Sequence, residues 1–581
     1  MGRLAKTPLP ELQLAALLVS RHRMGGNICL PLREIGGRVL PETIAGFKSA
    51  PTVSTWVRKL RGTNLVGAPG EFKPLILDEH DRLYLHRYWQ YEHSLAGAIK
   101  ARVNGPHPNI DLVRLREGLE RLFPPSGETN WQKVAAFNAV VSNFCVITGG
   151  PGTGKTRTVV AILALLLEQA QKPLRIALAA PSGKAAARLK DSIQLTKETL
   201  NCADDIKAWL PKEAMTIHRL LGTIPDSPYF RHHAEWPLLV DAVVVDEASM
   251  VDLATMSKLF AAIPATARIV LLGDKDQLAS VEAGYVLGDI CNAGATVQHS
   301  DRFAHFYDKV TGEKLSTPAT ATQSTMQDCI AELRKNYRFG SESGIYRLVE
   351  AINRGDAEQA ITVLRDKTQG DVIWRSWRGS GAQLREIALQ GYESYLKTHD
   401  PAEALDRFSD FRVLCAMRNG PYGVLELNQL IEQILSQARL LQEVDQWYRG
   451  RPVMVIRNDY NVKLFNGDVG VTFPDPEFQN EMRVFFWSVD NKMRRVLPSR
   501  LPAHETVYAM TVHKSQGSEF GRVLLILPEN DSPILSRELL YTGLTRAREQ
   551  VEIWASESVL RAAIARRVTR TSGLRDALWE Q

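Results

Sequence analysis

Short apolar runs recur along the middle of the chain, and each leads into a stretch whose apolar residues fall at helical spacing. Phe144 to Thr148, Ile176 to Ala180, Ala242 to Val245 and Ile269 to Leu272 are almost continuously apolar, the pattern of strands buried on both faces. After the first of them, Thr158 to Glu168 predicts a strongly apolar helix. Strands that alternate with helices in this way predict a parallel sheet.

The flanking regions have a different texture. Leu12, Leu14, Leu17 and Leu18, and later Leu83, Leu85, Tyr88, Trp89 and Tyr91, predict a small, mostly helical domain over residues 1–115. A polar, irregular stretch from 300 to 325 predicts the passage between two α/β units, with order resuming near Leu333 to Phe339. Between Trp447 and Arg500 the period shortens to two, as in Pro452 to Ile456 followed by Asn466-Gly467-Asp468. That predicts a small β-barrel inserted in the second α/β unit, which resumes near Val507. The predicted division is 1–115, 116–330, 331–446 joined to 506–581, and 447–505 as the insert.

At 581 residues the chain exceeds what one hydrophobic core supports. Its net charge of +6, from 71 basic and 65 acidic residues, is mild for this size. A nucleic-acid site must therefore be a local groove and not a uniformly basic surface. The six cysteines lie far apart with no C-x-x-C pair, which predicts buried thiols in a reducing compartment and no metal cluster. The apolar run Leu12 to Val19 is too short to span a bilayer, so the expected location is cytoplasmic, away from membranes.

Chemistry enters at the ends of the predicted strands. Gly149-Gly150-Pro151-Gly152-Thr153-Gly154-Lys155-Thr156 fulfils the P-loop pattern between a strand and a helix. There, backbone N–H groups close on phosphates, Lys155 reaches the β and γ oxygens and Thr156 ligates Mg²⁺. Val243-Val244-Val245 ends in Asp246, suited to holding Mg²⁺ through water, and Glu247, suited to deprotonating the attacking water. Gly273-Asp274-Lys275-Asp276-Gln277 follows another buried strand and brings Gln277 toward a γ-phosphate; read alone, it is a polar turn. Arg338 and Arg546 fall in the second unit, read either as surface charge, the default for a lone arginine, or as arginines that face across a cleft and stabilise charge on the transferring phosphoryl group, a reading made more specific for Arg546 by its place in Tyr541 to Ala547. Gln132, at a helix start before the P-loop strand, offers an amide that matches adenine, or is a plain surface glutamine.

With these residues in place, the chain resembles the superfamily 1 helicases, and among them the RecD group. The likeness is carried by Ala180-Pro181-Ser182-Gly183-Lys184-Ala185-Ala186, Thr216-Ile217-His218-Arg219-Leu220-Leu221-Gly222, Val245-Asp246-Glu247-Ala248-Ser249-Met250, Thr511-Val512-His513-Lys514-Ser515-Gln516-Gly517 and Leu544-Thr545-Arg546-Ala547. It runs from about Trp131 to Glu552. The resemblance implies an α/β fold of two RecA-like P-loop domains with parallel sheets, a helical N-terminal domain and an inserted SH3-like β-barrel. It implies an ATP- and Mg²⁺-dependent 5′-to-3′ motor on single-stranded DNA, acting in double-strand break repair and recombination within a RecBCD-type helicase–nuclease.

By residue, the resemblance implies nucleotide contacts at Gln132, Gly149, Gly150, Pro151, Gly152, Thr153, Gly154, Lys155, Thr156, Arg157, Tyr337, Gly517 and Glu519. It places hydrolysis at Lys155, Asp246, Glu247, Gln277, Arg338 and Arg546, the metal at Thr156 and Asp246, and DNA near Pro181, Ser182, Lys184, His218, Thr511, His513 and Lys514. RecB-like and RecC-like chains are the expected partners, docked through residues 1–115, because that extension is short and lacks helix-hairpin-helix-like repeats. No nuclease constellation is evident in this chain. The alternatives are a stand-alone helicase of the same branch, a scaffold subunit with an incidental ATPase, and an AAA+ type ATPase. The last of these predicts no second α/β unit with a Thr-Arg motif.

Overall fold

The computed structural model describes residues 9–580 except 125–126, 293–297, 316–324, 341, 377–380, 442–445, 460 and 489–491. Two parallel sheets dominate it. The first has the order Ile330–Glu332, Phe144–Thr148, Arg268–Gly273, Ala242–Val245, Ile176–Ala180, Met215–Thr216, with every neighbour parallel. The second has the order Val372–Arg375, Ala547–Trp554, Phe520–Ile526, Phe411–Cys415, Ala509–Thr511, again all parallel. Both draw on the nearly continuous apolar runs that a sheet covered on two faces requires.

The helix Lys155–Ala170 shows the logic of the first unit. Thr158 through Leu167 are all buried, because the helix lies between the sheet and the helices Trp131–Val141 and Leu112–Leu122. A helix apolar all round belongs in such an interior. Truncating a side chain like Leu163, fully buried there, costs about 2–5 kcal/mol. The predicted boundary at 115 falls inside Leu112–Leu122, whose Leu115, Leu119 and Leu122 pack into this core.

The insert is a five-stranded antiparallel sheet in the order Met493–Val496, Glu481–Trp487, Val469–Asp475, Pro452–Val455, His504–Thr506. Strand alternation splits its side chains between two cores. Val453, Val455, Val484 and Phe486 fill its own small core, whereas Met454, Val471, Phe473 and Phe485 join the core of the second parallel sheet.

The N-terminal region departs from the mostly helical expectation. It holds a four-stranded sheet in the order Cys29–Pro31, Arg82–Leu85, Leu75–Leu77, Val66–Gly67, covered by the helices Pro10–Met24 and Val53–Arg61 through Leu14, Leu18, Trp56 and Leu60. Leu83 and Leu85 lie on a strand, and the helix begins only at His86. Strands this short leave little periodicity to read. Likewise, the polar stretch after 300 contains the helix Asp301–Thr311, whose Phe303, Phe306 and Tyr307 pack edge-on around Phe137; residues 316–324 of it lie outside the described set.

The chain end returns to the beginning. After the helix Glu557–Ala565, Arg570 donates to the carbonyls of Glu282 and Gly284, and Thr571 O accepts from Ile28 N at 2.9 Å. The helix Leu574–Trp579 then packs on His86–Val103 and Val286–Ile290, with Trp579 Nε1 donating to the carbonyl of Asp289 at 3.2 Å. No helix among the described residues is long and apolar enough to cross a membrane.

Candidate nucleotide site and strand path

The P-loop turns on two glycines. Gly152 and Gly154 have φ of 84° and 80°, a region costly for any residue with a Cβ. Space is also closed: a Cβ on Gly152 would sit 2.5 Å from Arg338 Cβ, and one on Gly154 would collide with Gln132 Nε2. The helix then starts at Lys155, so its free N–H groups face the loop. Lys155 Nζ donates to the carbonyls of Gly149 at 2.6 Å and Gly150 at 3.1 Å, folded back over its own loop.

A cavity of ≈ 360 Å³ opens beside this loop, within the size range of small-molecule and cofactor sites. Its walls bring together most of the predicted residues: Pro151, Gly152, Thr153, Gly154, Lys155 and Thr156 of the loop, Asp246 and Glu247 from the strand Ala242–Val245, Gln277, Tyr337 and Arg338, and Glu519 and Arg546. Gly149 and Gly150 instead line a neighbouring cavity of ≈ 370 Å³ with Asn336 and Tyr541. Gln132 is buried and donates to Thr153 O at 3.1 Å, so it is no plain surface glutamine. Arg157 is exposed outside the cavity lining. Gly517, with φ of 71°, packs toward Ala185.

Electrostatics set four cations, Lys155, Arg188, Arg338 and Arg546, against three carboxylates, Asp246, Glu247 and Glu519. Burial, followed by the neighbouring Glu247, raises Asp246 above the usual carboxylate range. Asp246 Oδ1 accepts from Glu247 N at 2.9 Å, and Glu247 itself sits at φ 51°. Burial also pushes Glu519 up, but Arg188 and Arg338 together outweigh it and hold its carboxyl at about 2. Arg546 is buried, donating to the carbonyls of Thr542 at 3.0 Å and Ser518 at 3.3 Å; burial lowers its pKa against the pull of Glu247. Gln277 Nε2 donates to Asp274 Oδ2 at 2.9 Å, while its buried Oε1 has no hydrogen-bond partner among the described residues.

Two contributors escaped the sequence reading. Asn336 donates to Pro151 O at 3.0 Å and accepts from Arg338 N at 2.8 Å. With Tyr337 N donating to Gly152 O at 2.7 Å, it seats Tyr337 and Arg338 over the loop. Its sequence signal is an Asn at the first position of the turn it closes, where its Oδ1 also accepts from Phe339 N at 3.0 Å. Arg188 is the other, and only its helical spacing of four from Lys184 points to it.

The predicted strand residues sit at the ends of strands from both sheets. Ser182 caps the helix Gly183–Thr199, Lys184 Nζ donates to Ser518 Oγ at 2.8 Å, and burial pulls the Lys184 ammonium down to about 8. Lys514 Nζ donates to Glu505 Oε1 at 2.6 Å and Lys514 N to Thr511 Oγ1 at 3.2 Å. His513 is half-buried, and loss of solvation lowers its pKa. Pro181 is partly exposed, and His218 meets Phe230 edge-on with centroids 5.6 Å apart. The insert closes over this region: a Cβ on Gly183 would sit 3.2 Å from Phe465.

Comparison with known proteins follows this geometry. Residues 1–84 match the family described as RecBCD enzyme subunit RecD, N-terminal domain, residues 132–283 an AAA domain, and residues 506–553 a UvrD-like helicase C-terminal domain. The RecBCD enzyme subunit RecD of Mycolicibacterium smegmatis is 38% identical over 588 residues, covering 99% of this chain and 95% of that one. The chain belongs to the RecD family. The RecD subunit of Haemophilus influenzae is 37% identical, covering 85% of this chain and 79% of its own. The ATP-dependent RecD2 DNA helicase of Deinococcus radiodurans is 30% identical over 72% of this chain but only 48% of its own length. A Pif1 helicase from Bacteroides, solved with ADP-AlF3 and single-stranded DNA, covers 75% of this RecD-family chain and 94% of its own at 16% identity and a TM-score of 0.38.

Proposed function

We propose that this chain is an ATP-driven motor that moves 5′-to-3′ on single-stranded DNA, as the RecD-type subunit of a helicase–nuclease with RecB-like and RecC-like partners. Its family makes it an ATP-dependent DNA helicase. One observation carries the reading: a single cavity draws Lys155, Thr156 and Glu247 from one parallel sheet and Glu519 and Arg546 from the other. Hydrolysis there depends on how the two sheets stand, which is what a stepping motor needs.

The roles follow from position. An incoming triphosphate takes Lys155 Nζ from the loop carbonyls. Gln132 and the exposed ring of Tyr337, beside Gly154, mark the adenine end. Glu247 accepts a proton from water as the water oxygen bonds to the γ-phosphorus; the bond to the β–γ bridging oxygen breaks and its electron pair leaves with ADP. Arg338 and Arg546 stabilise the charge that develops. Thr156 and Asp246 present a hydroxyl and a carboxylate, and Asp246 Oδ2 carries no hydrogen bond among the described residues, a donor set that suits Mg²⁺ on phosphates. Bound there, Mg²⁺ neutralises charge on the β and γ oxygens.

Pro181, Ser182, Lys184, His218, Thr511, His513 and Lys514 form the strand path, where hydroxyls and cations meet phosphates without reading sequence. The insert, as an SH3-like barrel, roofs that path. Residues 1–115 form the partner surface, supported by the family match over 1–84.

The test is unwinding of duplexes with a 5′ or a 3′ single-stranded overhang by the purified chain with ATP and Mg²⁺, with Lys155→Gln as control. Unwinding from the 5′ overhang alone supports motor and direction. DNA-stimulated ATPase without unwinding supports an obligate subunit, and neither activity, alone or with partners, refutes the reading.

A further inference from the structure

The helix Gly183–Thr199 of the first sheet presents Lys184 and, one turn on, Arg188 from the same face. Lys184 bonds Ser518 and Arg188 pairs with Glu519, the next residue along. One helix thus grips two consecutive residues that lead into the strand Phe520–Ile526 of the second sheet. Arg338 pairs with the same oxygen, Glu519 Oε1. Arg188 also lines the nucleotide cavity and lies in the field of Glu247 and Asp246.

Two guanidinium groups on one carboxylate oxygen divide its attraction between them. A γ-phosphate carries more negative charge than a carboxylate and competes for the nearer cation, so an incoming nucleotide can draw one arginine away from Glu519. Arg338 is the one seated over the P-loop, through Tyr337 N and Asn336. Arg188, anchored beside Lys184 on a regular helix, is the one that stays.

We propose that Arg188 is a positioning residue for ATP hydrolysis: it retains Glu519 and so frees Arg338 to reach the γ-phosphate. This rests on the hydrolysis reading above. Without Arg188, Glu519 has a single strong partner, and Arg338 is held away from the reacting phosphate. Removing the carboxylate as well sets Arg338 free again.

The experiment is steady-state ATPase with single-stranded DNA at saturating ATP, together with fluorescent ADP binding and circular dichroism. The chains compared are wild type, Lys155→Gln, Arg188→Ala, Arg188→Lys, Glu519→Gln and the double variants that combine each Arg188 change with Glu519→Gln. Arg188→Ala is expected to lower kcat about tenfold or more, with ADP affinity within about threefold of wild type. Adding Glu519→Gln should raise its kcat at least about threefold, which a purely structural contact would not do. Arg188→Lys keeps the charge without the planar fork; it should be intermediate, and the same rescue should hold if Arg188→Ala does not fold. Wild-type kcat in Arg188→Ala, no rescue by Glu519→Gln, or an ADP affinity lost by more than about tenfold overturns the proposal. Turnover in wild type that Lys155→Gln does not abolish overturns the hydrolysis reading instead.

Discussion

Tyr541, on the helix Arg537–Leu544 of the second unit, donates a 2.8 Å hydrogen bond to Asp274 Oδ2, at the end of the strand Arg268–Gly273 of the first. Gln277 Nε2 donates to that same oxygen, and Leu278 N donates to Thr542 Oγ1 at 2.9 Å. A glutamine that lines the cavity and a tyrosine of the other sheet therefore share one buried carboxylate. Tyr541→Phe keeps the ring and deletes the bond. The ratio of DNA-stimulated to unstimulated ATPase should fall about 3- to 10-fold; an unchanged ratio would mean the bond carries no coupling.

Glu247→Gln keeps shape but cannot accept the proton of water. Single-turnover hydrolysis, followed by rapid quench, should fall about 10²- to 10⁴-fold, while nucleotide and DNA binding persist. Lys155→Gln should lose turnover with its fold intact by circular dichroism. Normal hydrolysis in the Glu247 variant would remove that residue from the reaction.

Gly154→Ala meets two obstacles, a left-handed backbone and the Gln132 amide. The backbone alone costs about 1–2 kcal/mol, so KM for ATP should rise. Titrating ATP against steady-state turnover checks this, and an unchanged KM would mean that the loop takes up the methyl group without moving.

Lys184 carries its charge only below about 8, because burial disfavours the ammonium. The phosphate contact proposed for Lys184 needs that charge, so DNA binding should take up a proton above that value. Affinity for a short oligonucleotide should weaken as pH rises from 8 to 9.5, by at most about tenfold per unit. Lys184→Arg, always charged, should flatten this slope. Fluorescence anisotropy across that range decides it.

The first sheet and its loop were legible because a covered parallel strand is an apolar run and its chemistry stands at its end, as in Val243-Val244-Val245-Asp246-Glu247. The N-terminal sheet was not, because its order depends on pairing between distant short segments, such as Cys29 with Tyr84. Arg188 looks like any solvated residue of an amphipathic helix until the partner that comes to it, Glu519, is placed. Gln132 was legible as a position but not as a buried one, since its burial comes from the fold of the P-loop against it. The returning chain end was missed because the partners of Arg570 and Thr571, the carbonyls of Glu282 and Gly284 and the residues Asn27 and Ile28, lie far away in sequence.

That return changes the mechanics. The chain passes between the two parallel-sheet units before the helix Gly344–Arg354 and again after the helix Glu557–Ala565, where Arg570 is tied to Glu282 and Gly284. Two bodies tethered at a single point can swivel in any direction, and a second tether removes part of that freedom. Any motion of one unit against the other must therefore bend both passages together.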